Sequence, residues 1–287
     1  MSDGTHPYAG AAVALTTLHG KADALAPAFA AIGARLVAVE GVDTDVLGTF
    51  SGEIPRRSSP LDTAIEKARM GMRASGLPVG LATEGSFGPD PVLGLLPLHR
   101  EIAVLVDDAR GLTVFETLAT HETNLGGRSI ASADALTDAE LARWGFPAHA
   151  LIVRAEQAPP DAPVRKGICD RGALERAIEE CLAASPVGSV RVETDMRAHF
   201  NPSRMRHIAR LGERLAGRLG CRCPACGAPG FGPIGSEPGL PCVDCGTPTA
   251  MIRRELLGCV RCAASATRPR SDGLESADPS HCDRCNP

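Results

Sequence analysis

The sequence predicts an α/β protein: a mixed sheet with flanking helices over residues 1–220, followed by a small zinc-ribbon-like module over 221–287. Three observations predict it. Apolar runs alternate with helical patterns through the first two thirds of the chain, as buried strands and their crossover helices do. Nine of the eleven cysteines fall after residue 220. Hydrophobic residues make up 44% of the chain but aromatics only 3%, so the core must be built from Ala, Val, Leu and Ile, with Phe29, Phe87, Phe115 and Trp144 as its few large fillers. A formal net charge of −4 argues against a general nucleic-acid binder. No apolar run approaches the ~20 residues of a membrane helix, and Met1–Gly10 carries no export signal. A cytoplasmic, reducing location is the expectation.

Taken in order, residues 11–17 form a buried strand, and Leu18-His19-Gly20-Lys21 turns into an alanine-rich helix over 22–32. Gly33 ends that helix and 35–40 is the second strand. A strand, a short Gly/Lys turn and a helix N-terminus together make an anion site. Residues 43–60 are a long polar loop, and Ser59-Pro60 starts the next helix with a cap, a first-turn proline and Asp62. Residues 78–83 make a strand that runs into Glu84-Gly85-Ser86-Phe87-Gly88, where α/β folds put catalytic carboxylates. Residues 101–107 and 112–118 pair as a hairpin. Residues 124–129 are a glycine-rich loop, 138–144 a short helix, 150–153 a strand, 157–163 a Pro-rich connection, 170–184 an amphipathic helix and 189–193 the last strand. The helix over 202–219 is capped by Asn201. Its arginines at 206, 210, 214 and 218 recur every four residues, the pattern of a solvated face, while Arg204 and His207 lie nearer a site.

The polar positions suggest phosphate chemistry. Lys21, with Thr17 and His19 beside it, is placed to hold phosphate; Arg56, Arg128 and Arg204 are placed to neutralise an anionic substrate. Glu53, Glu66 and Asp107, with Glu84, are the candidate oxygen ligands for Mg²⁺. Glu84 and Lys21 are the catalytic candidates. A phosphorylated small molecule is the expected ligand, with nucleic acid as the alternative.

The order of motifs resembles the inosine/xanthosine triphosphate pyrophosphatases and their shorter non-canonical purine phosphatase cousins. Thr16-Thr17-Leu18-His19-Gly20-Lys21 is similar to their Thr/Ser-Asn-x-x-Lys turn, although His19 and Gly20 depart from it. Residues 61–68 keep the Ala and Lys-Ala of their next helix but lack its Glu-Asn. Glu84-Gly85, the hairpin and Gly127-Arg128-Ser129 follow in the family's order, and residues 203–207 approximate its Ser-His-Arg stretch. The resemblance implies a pyrophosphatase-like fold and a metal-dependent hydrolase of nucleotides. The arrangement as a whole, with a tail ending Cys-x-x-Cys-Asn-Pro, is also similar to a bacterial family of unknown function.

The tail holds four C-x-x-C pairs: Cys223/Cys226, Cys242/Cys245, Cys259/Cys262 and Cys282/Cys285. Two such pairs close one Cys₄ shell, so four suggest two structural zinc ions. Disulfides suit secreted chains, and iron–sulfur spacings cluster cysteines more tightly. Sequential, nested and cross-braced pairings all remain open. Cys221 fits no knuckle, and Cys169 and Cys181 read as small apolar fillers.

Overall fold

Alternation of side chains across each strand, rather than any single motif, sets the layering of the chain. A computed structural model describes residues 5–17, 20–48 and 58–287. Strand β1 (Ala12–Thr16), helix α1 (Ala22–Ala31) and strand β2 (Arg35–Val39) make a β-α-β crossover with its two strands parallel, and helix α2 (Pro60–Ser75) leads to β3 (Val79–Pro89). Strands β4 (Pro97–Asp107) and β5 (Leu112–Thr120) then fold back antiparallel, giving the order β2-β1-β3-β4-β5. Helix α2 starts where expected: the Ser59 hydroxyl accepts from the Asp62 N–H at 3.1 Å.

The next segment builds a second sheet from β6 (Gly127–Ile130), helix α3 (Asp138–Arg143), β7 (Leu151–Ala155), β8 (Val164–Ile168), helix α4 (Arg171–Ala184) and β9 (Val190–Thr194). Its order is β6-β9-β7-β8, antiparallel throughout. Helix α5 (Pro202–Gly220) then returns to the first sheet, capped by the Asn201 side chain, which accepts from the Arg204 N–H.

The first sheet is covered on both faces. Leu81, Ala103 and Leu105 pack with Leu25 and Phe29 of α1 and Ile208, Leu211 and Leu215 of α5. Their neighbours Ala82, Val104 and Val106 point the other way, onto Ala64, Ala68 and Met72 of α2. The second sheet has its own core, in which Leu151, Val153, Val190 and Val192 meet Leu174, Ile178 and Trp144. The 1–220 stretch therefore carries a mixed α/β arrangement with three separate hydrophobic clusters among its described residues, two on the faces of the first sheet and one on the second.

Several expectations shift. The glycine-rich segment from Glu84 to Gly88 is strand, because β4 partners β3 residue for residue out to Pro89↔Pro97. Strands β6 and β8 arise where a loop and no element were expected. Phe115 is 38% exposed instead of filling the core. Cys181 is buried in the second core, whereas Cys169 is exposed. The arginine stripe of α5 also breaks: Arg206, Arg210 and Arg214 are exposed but Arg218 is buried. Each four-residue step advances about 40° beyond a full turn, so three steps carry Arg218 roughly 120° round, onto the packed side.

In the tail, β10 (Gly232–Pro238), β11 (Ile252–Gly258) and β12 (Ser265–Pro269) form an antiparallel sheet in that order. Buried Arg218 fastens the tail to the first sheet, donating to Gly230 O at 3.1 Å and Phe115 O at 2.8 Å. Gly230, at φ +93°, lies so close to Val114 that a Cβ there would sit 2.6 Å from its methyl. Among the described residues, no helix is long and apolar enough to cross a membrane.

Candidate functional site

Two arrangements concentrate chemistry. The first is in the tail. Cys223 and Cys242 open turns of the same shape: Cys223 N–H donates to Ala228 O at 2.8 Å and Gly227 N–H to Cys223 O at 2.9 Å, while Cys242 N–H donates to Thr247 O at 2.9 Å and Gly246 N–H to Cys242 O at 2.9 Å. Gly227 and Gly246 take φ of 71° and 69°, the left-handed conformation glycine adopts without strain. These knuckles bring the sulfurs into two groups, Cys223/Cys226/Cys259/Cys262 and Cys242/Cys245/Cys282/Cys285, each with its ligand atoms within 4.8 Å of one another. First joins third and second joins fourth: the pairing is cross-braced. The contact from Val243 N–H to Ala277 O (2.9 Å) draws the last pair beside the second.

The closest sulfur contacts are 3.7 Å for Cys223–Cys262 and Cys226–Cys259, 3.9 Å for Cys242–Cys285 and 3.6 Å for Cys245–Cys282. Four sulfurs at about 2.3 Å from one ion form a tetrahedron with edges of about 3.8 Å. The spacing fits a metal shell and is far too long for disulfides, whose sulfurs lie about 2.05 Å apart. Hydrogen bonds led by the Cys226 N–H pull the Cys223 thiol down to about 6, and the Thr247 side chain and backbone do the same to Cys245. Both favour thiolate, the ligand form, while contacts with the neighbouring sulfurs push Cys285, and Cys262 against its Ala264 hydrogen bond, up to about 12. Each group could hold one metal ion, and four cysteines per site leave no open position. Cys221 is exposed and belongs to neither group.

The second arrangement is a polar cluster on the first sheet. Period-two alternation puts His99 and Glu101 on the same face of β4 as Ala103 and Leu105. Glu101 is fully buried, and its carboxylate accepts from Arg204 Nε and Nη2 at 3.1 Å each and from His99 Nε2 at 2.9 Å. Gly85, across the ladder from Glu101, makes room for the pair: a Cβ there would overlap both the Arg204 guanidinium and the Glu101 carboxylate. Lys21, just before α1, is also buried; its Nζ donates to Thr83 Oγ1 at 2.7 Å and lies 3.8 Å from Glu101 Oε1. Glu84 faces the opposite side of β3, where Lys67 of α2 meets it at 2.6 Å.

Electrostatics follow from this packing. Burial, then the charge of Arg204, lower the Lys21 pKa to about 8 against the pull of Glu101 and Glu84. Burial pushes the Glu101 carboxyl up, but Arg204, the His99 hydrogen bond and Lys21 outweigh it and hold the group well below the usual carboxylate range.

The cluster lies behind Gly85, which with Phe87, Gly126, Arg154, Glu193 and Met196 among others lines a cleft of about 840 Å³ between the two sheets; the charged side chains of the cluster are not part of that lining. Arg204 reaches its floor directly, donating through Nη1 to Met196 O at 2.7 Å.

Of the residues singled out in the sequence, Lys21 and Arg204 both reach Glu101, whereas Glu84 pairs with Lys67 on the other side of β3. Arg128 lies elsewhere, bonded to Glu140 and Ala135 O beside α3. Glu66 pairs with Arg73 on the exposed side of α2, and Asp107 sits at the far end of β4 with Tyr8 and Arg110. Thr17 lies at the end of the β1 segment, half-buried. His19, Glu53 and Arg56 lie outside the described residues. Hence Glu66, Glu84 and Asp107 do not form one ligand group. Sequence reasoning passed over Lys67, His99 and Glu101. The strand expected over 101–107 begins earlier, at Pro97, so that His99 joins Glu101 on its inward face.

The fold and these sites define a class: a mixed α/β protein with a cross-braced, doubly cysteine-tetrad tail. The family described as a domain of unknown function, DUF6671, matches residues 67–287, and the chain belongs to that family. No curated protein and no solved structure matches the chain. The expected likeness to triphosphate pyrophosphatases finds no support in these comparisons.

Proposed function

We propose that the cleft between the two sheets binds and hydrolyses a nucleotide or a related phosphorylated small molecule, and that the tail is a structural module holding two zinc ions. The observation that carries the first part is the grouping of Lys21, Arg204 and Glu101 behind the cleft residue Gly85, with Glu84 and Lys67 paired on the other side of β3 within reach of the Lys21 charge. Among the described residues three cations meet two carboxylates, a balance suited to an anionic ligand. Lys21 is the phosphate-facing charge, Glu84 with Lys67 orients water or a leaving group, and Arg204 keeps Glu101 ionised. Glu84 and Glu101 each engage cations already, so the reading assigns positive charge to the chain's own side chains before a Mg²⁺ ion.

A non-enzymatic reading has one observation in its favour: a groove of the tail is lined by Arg253, Arg254, Arg268 and Arg270. Charge weighs against it. Residues 221–287 hold seven arginines against seven acidic residues. Two zinc ions in eight thiolates then leave the loaded module about four charges negative, the wrong sign for a nucleic-acid surface.

The test is a panel of nucleoside triphosphates, nucleoside monophosphates and sugar phosphates, assayed for phosphate and pyrophosphate release. Turnover that falls about a hundredfold in Glu84→Gln and Lys21→Met supports the first reading. Absence of turnover together with saturable RNA or DNA binding supports the second.

A further inference from the structure

A chain of four hydrogen-bonded side chains leads from the buried cluster to the surface. Glu101 Oε2 meets His99 Nε2 at 2.9 Å, His99 Nδ1 meets His207 Nδ1 at 3.2 Å, and His207 Nε2 meets Glu122 Oε2 at 3.3 Å. Both histidines are buried, at 1% and 4% exposure, whereas the Glu122 side chain is 75% exposed. The His99 ring is fixed in place by Phe87, stacked on it at 4.2 Å and 9°. Glu122 lies in the segment that joins the first sheet to the second, between β5 and β6.

Counting donors decides what this chain is. An ionised carboxylate only accepts, so both outer bonds need a proton on a histidine nitrogen. The Nδ1–Nδ1 bond needs a third. Two neutral imidazoles carry two protons between them, one too few.

We infer that His99 and His207 hold a single shared extra proton, as an imidazole–imidazolium pair, and relay protons between solvent at Glu122 and the buried Glu101. The transfer balances. A proton on Glu122 moves to His207 Nε2, the His207 Nδ1 proton crosses to His99 Nδ1, and the His99 Nε2 proton passes to Glu101 Oε2. One proton enters and one leaves; the three-proton pair is the state in between, stabilised by a carboxylate at each end.

The charged groups around the pair act in both directions. Glu101 and Glu122 favour the extra proton, while Arg204, Lys21 behind Glu101, and Arg210, 3.7 Å from Glu122, oppose it. Burial lowers the proton affinity of His207, opposed by the Glu122 hydrogen bond. The proton is thereby kept exchangeable.

This inference deepens the reading of the cleft as a reaction site, but only its catalytic consequence rests on that reading. The experiment is ¹⁵N-histidine NMR on the full zinc-loaded chain from pH 8 to pH 5, with signals assigned through His99→Gln and His207→Gln. The expected result is uptake of one proton by the two rings together, with a common midpoint that falls by about half a pH unit in Glu122→Gln. Two protons taken up at separate midpoints, no uptake down to pH 5, or a midpoint unmoved by Glu122→Gln would each overturn it. None of these readouts needs turnover. A chain that titrates as expected and hydrolyses nothing retains the relay and loses the hydrolase.

Discussion

The pairing of the tail cysteines can be decided by removing them two at a time. In the cross-braced arrangement, Cys223 and Cys259 share one site while Cys242 and Cys282 share the other. Cys223→Ser/Cys259→Ser should therefore retain one zinc per chain, and Cys223→Ser/Cys242→Ser should retain none. Sequential pairing reverses both outcomes, and nested pairing leaves neither double variant with an ion. The sulfur separations of 3.6–3.9 Å correspond to a metal–sulfur distance of about 2.3 Å, so X-ray absorption on the intact chain should return four sulfurs at that distance. Native mass spectrometry supplies the count, two ions for the unmodified protein.

The energetic side follows from what else holds the tail. Strands β10 and β12 are almost wholly exposed, and Ile234 and Ile252 are 60% and 42% exposed. Structural zinc is worth about 10–16 kcal/mol in small metal-folded modules, more than so thin an apolar layer contributes. Chelation should abolish amide protection from Cys223 to Cys285 while β3 and β4 stay protected. Retention of one ion by Cys223→Ser/Cys242→Ser, or protection of β11 that survives chelation, would refute the cross-braced, metal-dependent tail.

The polar cluster yields two further expectations. Arg204→Met leaves Glu101 buried without its main partner and should cost about 3–5 kcal/mol, whereas Arg204→Met/Glu101→Leu should recover most of that loss; urea melts of the three chains test it. Lys21 has a folded pKa of about 8, below that of a free lysine. The unfolded chain therefore binds more protons between about pH 8 and 10.5, and stability should rise with pH there. By the same linkage this amounts to about 3 kcal/mol at most. In Lys21→Met that rise should vanish, and a wild-type minus variant difference that is flat over the window would count against the burial of the charge.

How much of this could be read in advance depended on how local the determining physics is. A C-x-x-C-Gly knuckle is a short-range object: two thiolates, one turn and a glycine at positive φ. The four pairs, and the glycines that follow the first two of them, were therefore visible in the sequence. Which pair meets which depends on contacts such as Val243 with Ala277, more than thirty residues apart in sequence, and spacing alone left three options open. Helices α2 and α5 were likewise legible from Ser59-Pro60 and Asn201-Pro202, because a cap is a local bond. The burial of Arg218 was not, since it hangs on the angular drift of a four-residue repeat over three turns and on Gly230 arriving from the tail to accept its hydrogen bond.

Glu84 shows why the cluster itself was only half visible. An acid followed by Gly-Ser-Phe-Gly looks like a strand end, and a strand end would aim it at a metal in a loop. Pairing with β4 keeps the segment extended, so the acid and its neighbour Gly85 face opposite sides of one sheet. Glu84 goes to Lys67 on the α2 side, and Gly85 leaves the gap that Arg204 and Glu101 fill on the α5 side. A glycine that reads locally as a turn signal thus serves a distant helix: without it, the guanidinium of Arg204 could not lie against β3. That guanidinium is what keeps a fully buried carboxylate ionised. The buried ion pair therefore depends on a register shared by two strands and a helix more than a hundred residues further along the chain, and only a folded structure brings those three together.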